Sequence, residues 1–105
     1  MIQKSKVLGT LGLAMKSGNV VSGESMTEQA IRQGTAKLVI VAEDASANTK
    51  KKFMNSCSFY QIPIAVYEQK EVLGNAIGKE FRASLAVLDE GFASSIRKKL
   101  DLEEM

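Results

Sequence analysis

The sequence predicts one α/β domain, an α/β/α sandwich in which helices cover both faces of a sheet. Two observations lead to this prediction. Helical and strand-like apolar patterns alternate along the 105 residues, and residues 38–42 form an unbroken apolar run, LVIVA, typical of a strand buried on both faces. With 45% hydrophobic residues and no linker or repeat, residues 1–105 are expected to form a single domain.

A helix and a short strand are predicted first. The helix ends near Gly18, and Val20 and Val21 then form the first strand. Gly9 and Gly12 each weaken the helix by about 1 kcal/mol, which predicts a neighbouring backbone packed closely against them. Spacings of three and four residues define its apolar face, formed by Val7, Leu8, Leu11, Ala14 and Met15.

A second helix leads into the central strand. Ser25 and Glu28 stand in capping-box spacing, so this helix is expected to begin at Ser25. Gly34 fits a left-handed helix stop. The apolar run follows, and Glu43 and Asp44 end it abruptly.

The third helix is predicted over residues 48–58, capped by Asp44, Ser46 or Asn48. Lysines 50–52 give it a basic patch, which is usually solvated surface. Its inward face is predicted to contain Phe53, Met54 and Cys57.

Two strands and two helices complete the chain. Pro63 disfavours helix before it, and residues 64–67 are predicted to form the third strand. Residues 68–77 are predicted to form a short helix and residues 85–88 the fourth strand. Asp89 can cap a last helix, with the closing residues LDLEEM frayed. The apolar repeat of that helix is Phe92, Ile96 and Leu100. The cations that interact favourably with the negative end of its dipole are Arg97, Lys98 and Lys99.

The composition excludes most catalytic designs. The chain has no histidine and one cysteine, so Ser-His-Asp and Cys-His systems and zinc sites cannot be built, and no cofactor or metal is expected. Cys57 is interpreted as a small buried hydrophobe. The enzymatic alternative is carboxylate or lysine chemistry around Glu43 and Asp44, which lie where a strand ends, although a capping role explains such an acid more simply.

The segment LGNAIGKE only superficially resembles a phosphate-binding loop. Three residues separate Gly74 from Gly78 where that loop needs four, and Glu80 stands in the place of the magnesium-binding hydroxyl residue. Nucleotide binding is therefore not predicted.

No apolar run approaches the roughly 20 residues of a membrane helix, and the N-terminus has no convincing cleavage site, so a cytoplasmic protein is expected. The 14 basic and 12 acidic residues nearly balance, which predicts little nonspecific attraction to polyanions.

Three stretches, in a resemblance that covers nearly the whole chain, resemble the L-seven-Ae family of ribosomal and kink-turn RNA-binding proteins: GNVVSGESMTEQAIRQGTAKLVIVAEDAS, IPIAVYEQKEVLGNAIGK and LAVLDEGFASSI. The phrases AEDASANTKK, LGNAIGK and DEGFA resemble more narrowly the small bacterial YlxQ-like branch. The resemblance implies a mixed four-stranded sheet within the sandwich. It also implies non-catalytic binding to kinked RNA helices with tandem sheared G·A pairs, in association with the ribosome or translation.

The resemblance also implies a site. The family builds its RNA surface from the turn and start of the second helix and from the loop before the last strand. Ser25, Met26 and Gln29 occupy places where its signature has Asn, Glu and Lys, and Glu24 could substitute for the acid. Lys37 matches a basic family position. The predicted RNA-binding residues are Gly23, Glu24, Ser25, Met26, Gln29, Lys37, Lys79, Phe81 and Arg82.

A physical argument stands beside the resemblance, because the start of the second helix should present free backbone amides and a positive dipole end to phosphate. The first hypothesis is thus a monomeric protein that binds structured RNA, ribosomal or of kink-turn type. The alternative is an adaptor that binds ribosomal or translation proteins and has weakened RNA binding, as its departures from the signature at residues 25, 26 and 29 would allow.

Overall fold

The computed structural model describes residues 4–100, which form five helices and four strands in alternation. The elements are α1 (Lys4–Lys16), β1 (Val20–Ser22), α2 (Glu24–Gln33), β2 (Leu38–Val41), α3 (Ala47–Tyr60), β3 (Ile64–Val66), α4 (Lys70–Ala76), β4 (Ser84–Val87) and α5 (Glu90–Lys99). The predicted order of elements is confirmed. The fraying predicted for residues 100–105 is wrong at Leu100, which is buried and whose amide donates to the Ile96 carbonyl at 2.9 Å, and residues 101–105 lie outside the described residues.

The four strands form one mixed sheet in the order β1-β4-β2-β3. Strand β4 runs antiparallel to both β1 and β2, whereas β2 and β3 are parallel. All four residues of β2 and all four of β4 are buried, as expected for central strands covered on both faces. The three-layer fold with a mixed sheet is therefore confirmed.

Alternation along β2 divides the core between the two faces of the sheet. Ile40 points into a cluster with side chains of α1, α4 and α5, whereas Val39 and Val41 point into a cluster with α2 and α3. The first cluster contains Val7, Leu11, Leu73, Ile77, Ile96 and Leu100, and the second contains Ile31, Phe53 and Cys57. The periodic apolar faces predicted from sequence supply most of these residues.

The two ends of the sheet differ in what they carry. At one end Ser22 pairs with Leu85 and Val41 pairs with Ser84, and α2 begins just beyond; we call this the Gly23 end. At the other end Val87 pairs with both Val20 and Leu38; we call this the Lys37 end. Since β1, β2 and β3 all finish at the Gly23 end, the helices that follow them, α2, α3 and α4, all start there.

Helix ends agree with the predictions in part. Gly34 ends α2 with φ 76°, and Asp89 caps α5 by accepting the Phe92 amide at 2.9 Å. The cap of α3 is Ser46, which accepts the Thr49 amide at 3.1 Å. Asp44 instead accepts the Lys70 amide at 2.8 Å and so stabilises the start of α4.

Other predictions need correction. The capping box is wrong, because α2 begins after Gly23, so Ser25 lies inside the first turn and makes no capping bond. Met54 is 42% exposed rather than inward. A backbone packs closely at Gly12, where a Cβ would lie 3.2 Å from the Ala76 carbonyl oxygen, but Gly9 has open space around it.

Candidate nucleic-acid interface

The turn from β1 into α2 is built on Gly23. Its φ of 90° is a backbone conformation that favours glycine, and it lets the chain reverse directly from strand into helix. The Gly23 amide donates to the Ser84 carbonyl at 2.9 Å, and the Gly23 carbonyl accepts the Thr27 amide at 3.0 Å. No side chain caps this helix end, so the first-turn amides of Glu24, Ser25 and Met26 have no acceptor within the helix.

The side chains at the start of α2 are exposed. Ser25 and Gln29 line one shallow depression on the helix, and Met26 is 47% exposed. The Glu24 carboxylate accepts a bond from Lys52 Nζ of α3 at 2.9 Å. In this structure, therefore, the acid that could replace the missing signature residue is held in an ion pair.

The loop of residues 79–83 lies next to this turn and is attached to α4 through backbone contacts. The Lys79 amide donates to the Gly74 carbonyl at 2.8 Å, and the Arg82 amide donates to the Lys70 carbonyl at 3.0 Å. A Cβ on Gly74 would lie 2.7 Å from the Glu80 carbonyl oxygen. Gly74 is thus required for the close approach that positions the loop, in a segment that does not form a phosphate-binding loop.

Arg82 connects the loop to β1. Its Nε donates to Ser22 Oγ at 2.9 Å, and its Nη1 donates to the Phe81 carbonyl at 2.7 Å. Phe81 is 52% exposed, and Lys79 is also exposed. The Gly23 end therefore brings together open amides, a guanidinium and two exposed apolar side chains, Met26 and Phe81.

Eight of the nine predicted residues belong to these two segments, and Lys37 does not. Lys37 precedes β2 at the Lys37 end, where its amide donates to the Val87 carbonyl at 2.7 Å. Four residues of strand, or about 13 Å, separate it from the end that carries Gly23. Its side chain lines a different cavity, with Tyr60, Gln61 and Arg97 among its neighbours.

Of the two acids considered for catalysis, Asp44 has a structural role, because its side chain accepts a bond at the start of α4. The backbone amide of Glu43 donates to the Glu68 carbonyl at 2.7 Å, and the Glu43 side chain is exposed. Cys57 is buried, and burial, with a smaller contribution from Glu28, raises the pKa of its thiol to about 12. A thiol with so high a pKa is a poor nucleophile at neutral pH.

Sequence reasoning missed Ser22 and Lys52 as parts of this end of the molecule. Both contact predicted site residues, Arg82 and Glu24 respectively, over separations of 60 and 28 residues. The lysine run in residues 50–52 was visible in the sequence, but nothing local placed it beside α2.

The fold and this end of the sheet define a small α/β/α binding module. The chain belongs to the Ribosomal protein L7Ae/L30e/S12e/Gadd45 family, whose model matches residues 5–97. Its resemblance to that family is thereby confirmed, and two bacterial relatives named YlxQ, 47% and 36% identical, confirm the narrower resemblance.

Two curated relatives illustrate the range of the family. The RNA-binding protein YlxQ of Bacillus subtilis (strain 168) is 47% identical over 91 residues, covering 87% of this chain and 91% of the relative. The large ribosomal subunit protein eL30 of Methanosarcina mazei is 37% identical over 93 residues, covering 87% and 86%. Proteins with these names are not enzymes, and this chain is a member of the same non-enzymatic family.

Solved structures share the fold. A protein with unknown function from Bacillus halodurans C superposes with a TM-score of 0.89 at 38% identity, covering 91% of this chain and 97% of that chain. The Giardia lamblia 15.5kD RNA binding protein superposes with a TM-score of 0.82 over 94% and 88%, and at 18% identity this likeness concerns the fold alone. Among residues 4–100, no helix combines the length and apolar character needed to cross a membrane.

Proposed function

We propose that this chain is a non-catalytic RNA-binding protein of ribosomal-protein type, with residues 1–105 acting as a single RNA-binding domain. Family membership supports the proposal, as do the names of the relatives from Bacillus subtilis and Methanosarcina mazei. The observation that carries it is the junction of the Gly23 turn with the 79–83 loop through Arg82 and Ser22, because the family builds its RNA surface from these same two segments.

The proposed target is a kinked or otherwise structured RNA of kink-turn type, bound in ribosome or translation function. Open amides at a positive helix end, together with a guanidinium, suit RNA phosphates. Exposed Phe81 and Met26 suit bases that a kink has splayed out of the stack. The proposal extends to a monomer that works in the cytoplasm with the ribosome or translation factors.

The recognition we propose depends more on RNA shape than on base edges. Ser25 and Gln29 can exchange neutral hydrogen bonds, whereas Met26 offers only apolar contact. With 14 basic and 12 acidic residues, the chain has little net charge to attract RNA indiscriminately, so local contacts must supply affinity.

The test is a titration of the purified protein with a kink-turn RNA and with a matched RNA whose sheared G·A pairs are replaced by Watson–Crick pairs. We expect tighter binding to the kinked RNA. Binding of equal strength would contradict recognition of the kink, and absence of binding to both would contradict RNA binding through this surface.

The second candidate function is the protein-interaction adaptor with weakened RNA binding. The specific observation in its favour is that Met26, which is 47% exposed, presents apolar surface at a signature position where the family has an edge-reading Glu. Translation proteins that remain associated with the chain after ribonuclease treatment, together with failed binding in the titration, would favour the adaptor.

A further inference from the structure

Three consecutive lysines, Lys50, Lys51 and Lys52, occupy the second turn of α3, and the first turn contains no acid. Cations near a helix N-terminus oppose the helix dipole and destabilise the helix. Helices α2 and α5 show the favourable arrangement, with Glu24 and Glu90 in their first turns and basic residues in their last turns. The stability of α3 therefore does not explain why its lysines are at this end.

The lysine run lies beside the proposed RNA surface. Lys52 Nζ contacts the carboxylate of Glu24, the first residue of α2, at 2.9 Å. One turn further along both helices, Ser56 Oγ donates to Glu28 at 3.2 Å. The two contacts show that α2 and α3 run side by side in the same direction, so the beginning of α3 extends the surface that starts at Gly23.

Both of the exposed lysines can reach a ligand. Lys51 is exposed and has no ion-pair partner within residues 4–100, and its position about 100° around the helix from Lys52 turns it toward solvent. The Lys52–Glu24 pair is itself exposed, and ion pairs in water are weak enough to exchange one anionic partner for another.

We propose that Lys51 and Lys52 bind the phosphate backbone of the RNA strand that continues past the Gly23 turn, with Lys52 leaving Glu24 for a phosphate. This inference rests on the proposed function and adds a second contact area to it. Lysine is a flexible point charge that reads no sequence, so these residues position the RNA, while the 79–83 loop and the Gly23 turn discriminate its shape.

The experiment compares the salt dependence of kink-turn RNA binding in the wild-type chain, in Lys51→Gln/Lys52→Gln and in Lys16→Gln/Lys98→Gln. The control variant removes the same charge from exposed residues of α1 and α5, the helices on the opposite face of the sheet. Titrations over a series of potassium chloride concentrations give the slope of log affinity against log salt, and thermal unfolding checks that each variant is folded.

We expect the slope of the α3 variant to fall by about two, one for each phosphate contact, with roughly fivefold lower affinity per lysine at physiological salt. The control should keep the wild-type slope. Because phosphate contacts carry no base information, the α3 variant should also keep the wild-type ratio of affinities for kinked and Watson–Crick RNA.

An unchanged slope in the α3 variant, or equal losses in both variants, would overturn the inference while leaving the proposed function intact. A changed affinity ratio would overturn the purely positional role. Wild-type protein that binds neither RNA would overturn both proposals together.

Discussion

The Arg82 guanidinium donates from Nε to the Ser22 hydroxyl at 2.9 Å, across 60 residues of sequence. This bond joins the loop before β4 to the last residue of β1, directly before the Gly23 turn. A second donor, Nη1, binds the Phe81 carbonyl, so two of the five guanidinium N–H groups orient the side chain within the protein. The remaining donors are then held in a fixed orientation beside the start of α2.

Arg82→Gln should weaken binding to kink-turn RNA by about tenfold or more. It removes a charged donor, and hydrogen bonds to charged groups contribute about 1.5 to 3 kcal/mol. The measurement is an RNA titration, with Lys37→Gln as a control that removes the same charge at the other end of the sheet. Equal affinities in the two variants would contradict the site as placed here.

Phe81→Ala should weaken RNA binding without unfolding the protein. A base stacked on an aromatic ring contributes about 1 to 3 kcal/mol, whereas a side chain that is 52% exposed adds little to the core. Phe59→Ala is the matched control, since Phe59 is 79% exposed on the last turn of α3, toward the Lys37 end. If Phe59→Ala lowered affinity as much as Phe81→Ala, the loop would not be the stacking surface.

Gly74→Ala should displace the 79–83 loop of the proposed RNA interface. The added methyl would lie 2.7 Å from the Glu80 carbonyl oxygen and 2.9 Å from the Phe81 amide nitrogen, and backbone atoms cannot rotate out of its way. We expect a loss of about 1 to 3 kcal/mol in the free energy of unfolding, and weaker RNA binding, because the loop must shift.

Gly9→Ala is the control for this effect, because it places the same methyl in open space on α1. It should leave RNA binding unchanged and stabilise the protein by about 0.5 to 1 kcal/mol through helix propensity. Urea unfolding measures both variants. Similar stabilities for the two alanines would show that the Gly74 contact does not constrain the loop.

The architecture could be predicted because the buried face of each helix or strand determines the spacing of its apolar residues. The run at residues 38–42 has no polar position because β2 is covered on both faces, and the faces of α1 and α5 repeat at helical spacing because each packs on one side. The start of α2 could not be predicted so well. Ser25 has the right chemistry for a cap. The bond from Gly23 to Ser84, however, ends β1 so early that the helix begins before Ser25.

The candidate site was predictable only through the family resemblance, and its internal contacts were not. Arg82 with Ser22 and Glu24 with Lys52 are tertiary pairs, and no local pattern indicates which distant residues a fold will bring together. Lys37 belongs to the predicted site because it matches a basic family position, whereas the register of β2 with β4 places it at the end of the sheet opposite Gly23.

The stability of the protein should depend on pH through Cys57. Burial, with a contribution from Glu28, raises the pKa of its thiol to about 12 from an ordinary value of 9.0. Between these two values the folded state keeps a proton that the unfolded state loses. The contribution of the protonated Cys57 thiol to the free energy of unfolding is therefore complete below pH 9.0. Above that value the free energy of unfolding falls by about 1.4 kcal/mol per pH unit as the pH rises toward 12.

Cys57→Ala isolates this contribution. Tyr67, whose pKa is also raised to about 12, mainly by burial, titrates in both proteins and cancels in the comparison. Urea unfolding at about pH 8 and about pH 10.5 should show the stability advantage of the wild type shrinking at the higher pH, because only the wild type must retain a buried protonated thiol. A difference between the two proteins that stays constant over this range would mean that Cys57 ionises as readily in the folded chain as in the unfolded one, and hence that the second core cluster, which α2 and α3 form with the sheet, is open to water at this position.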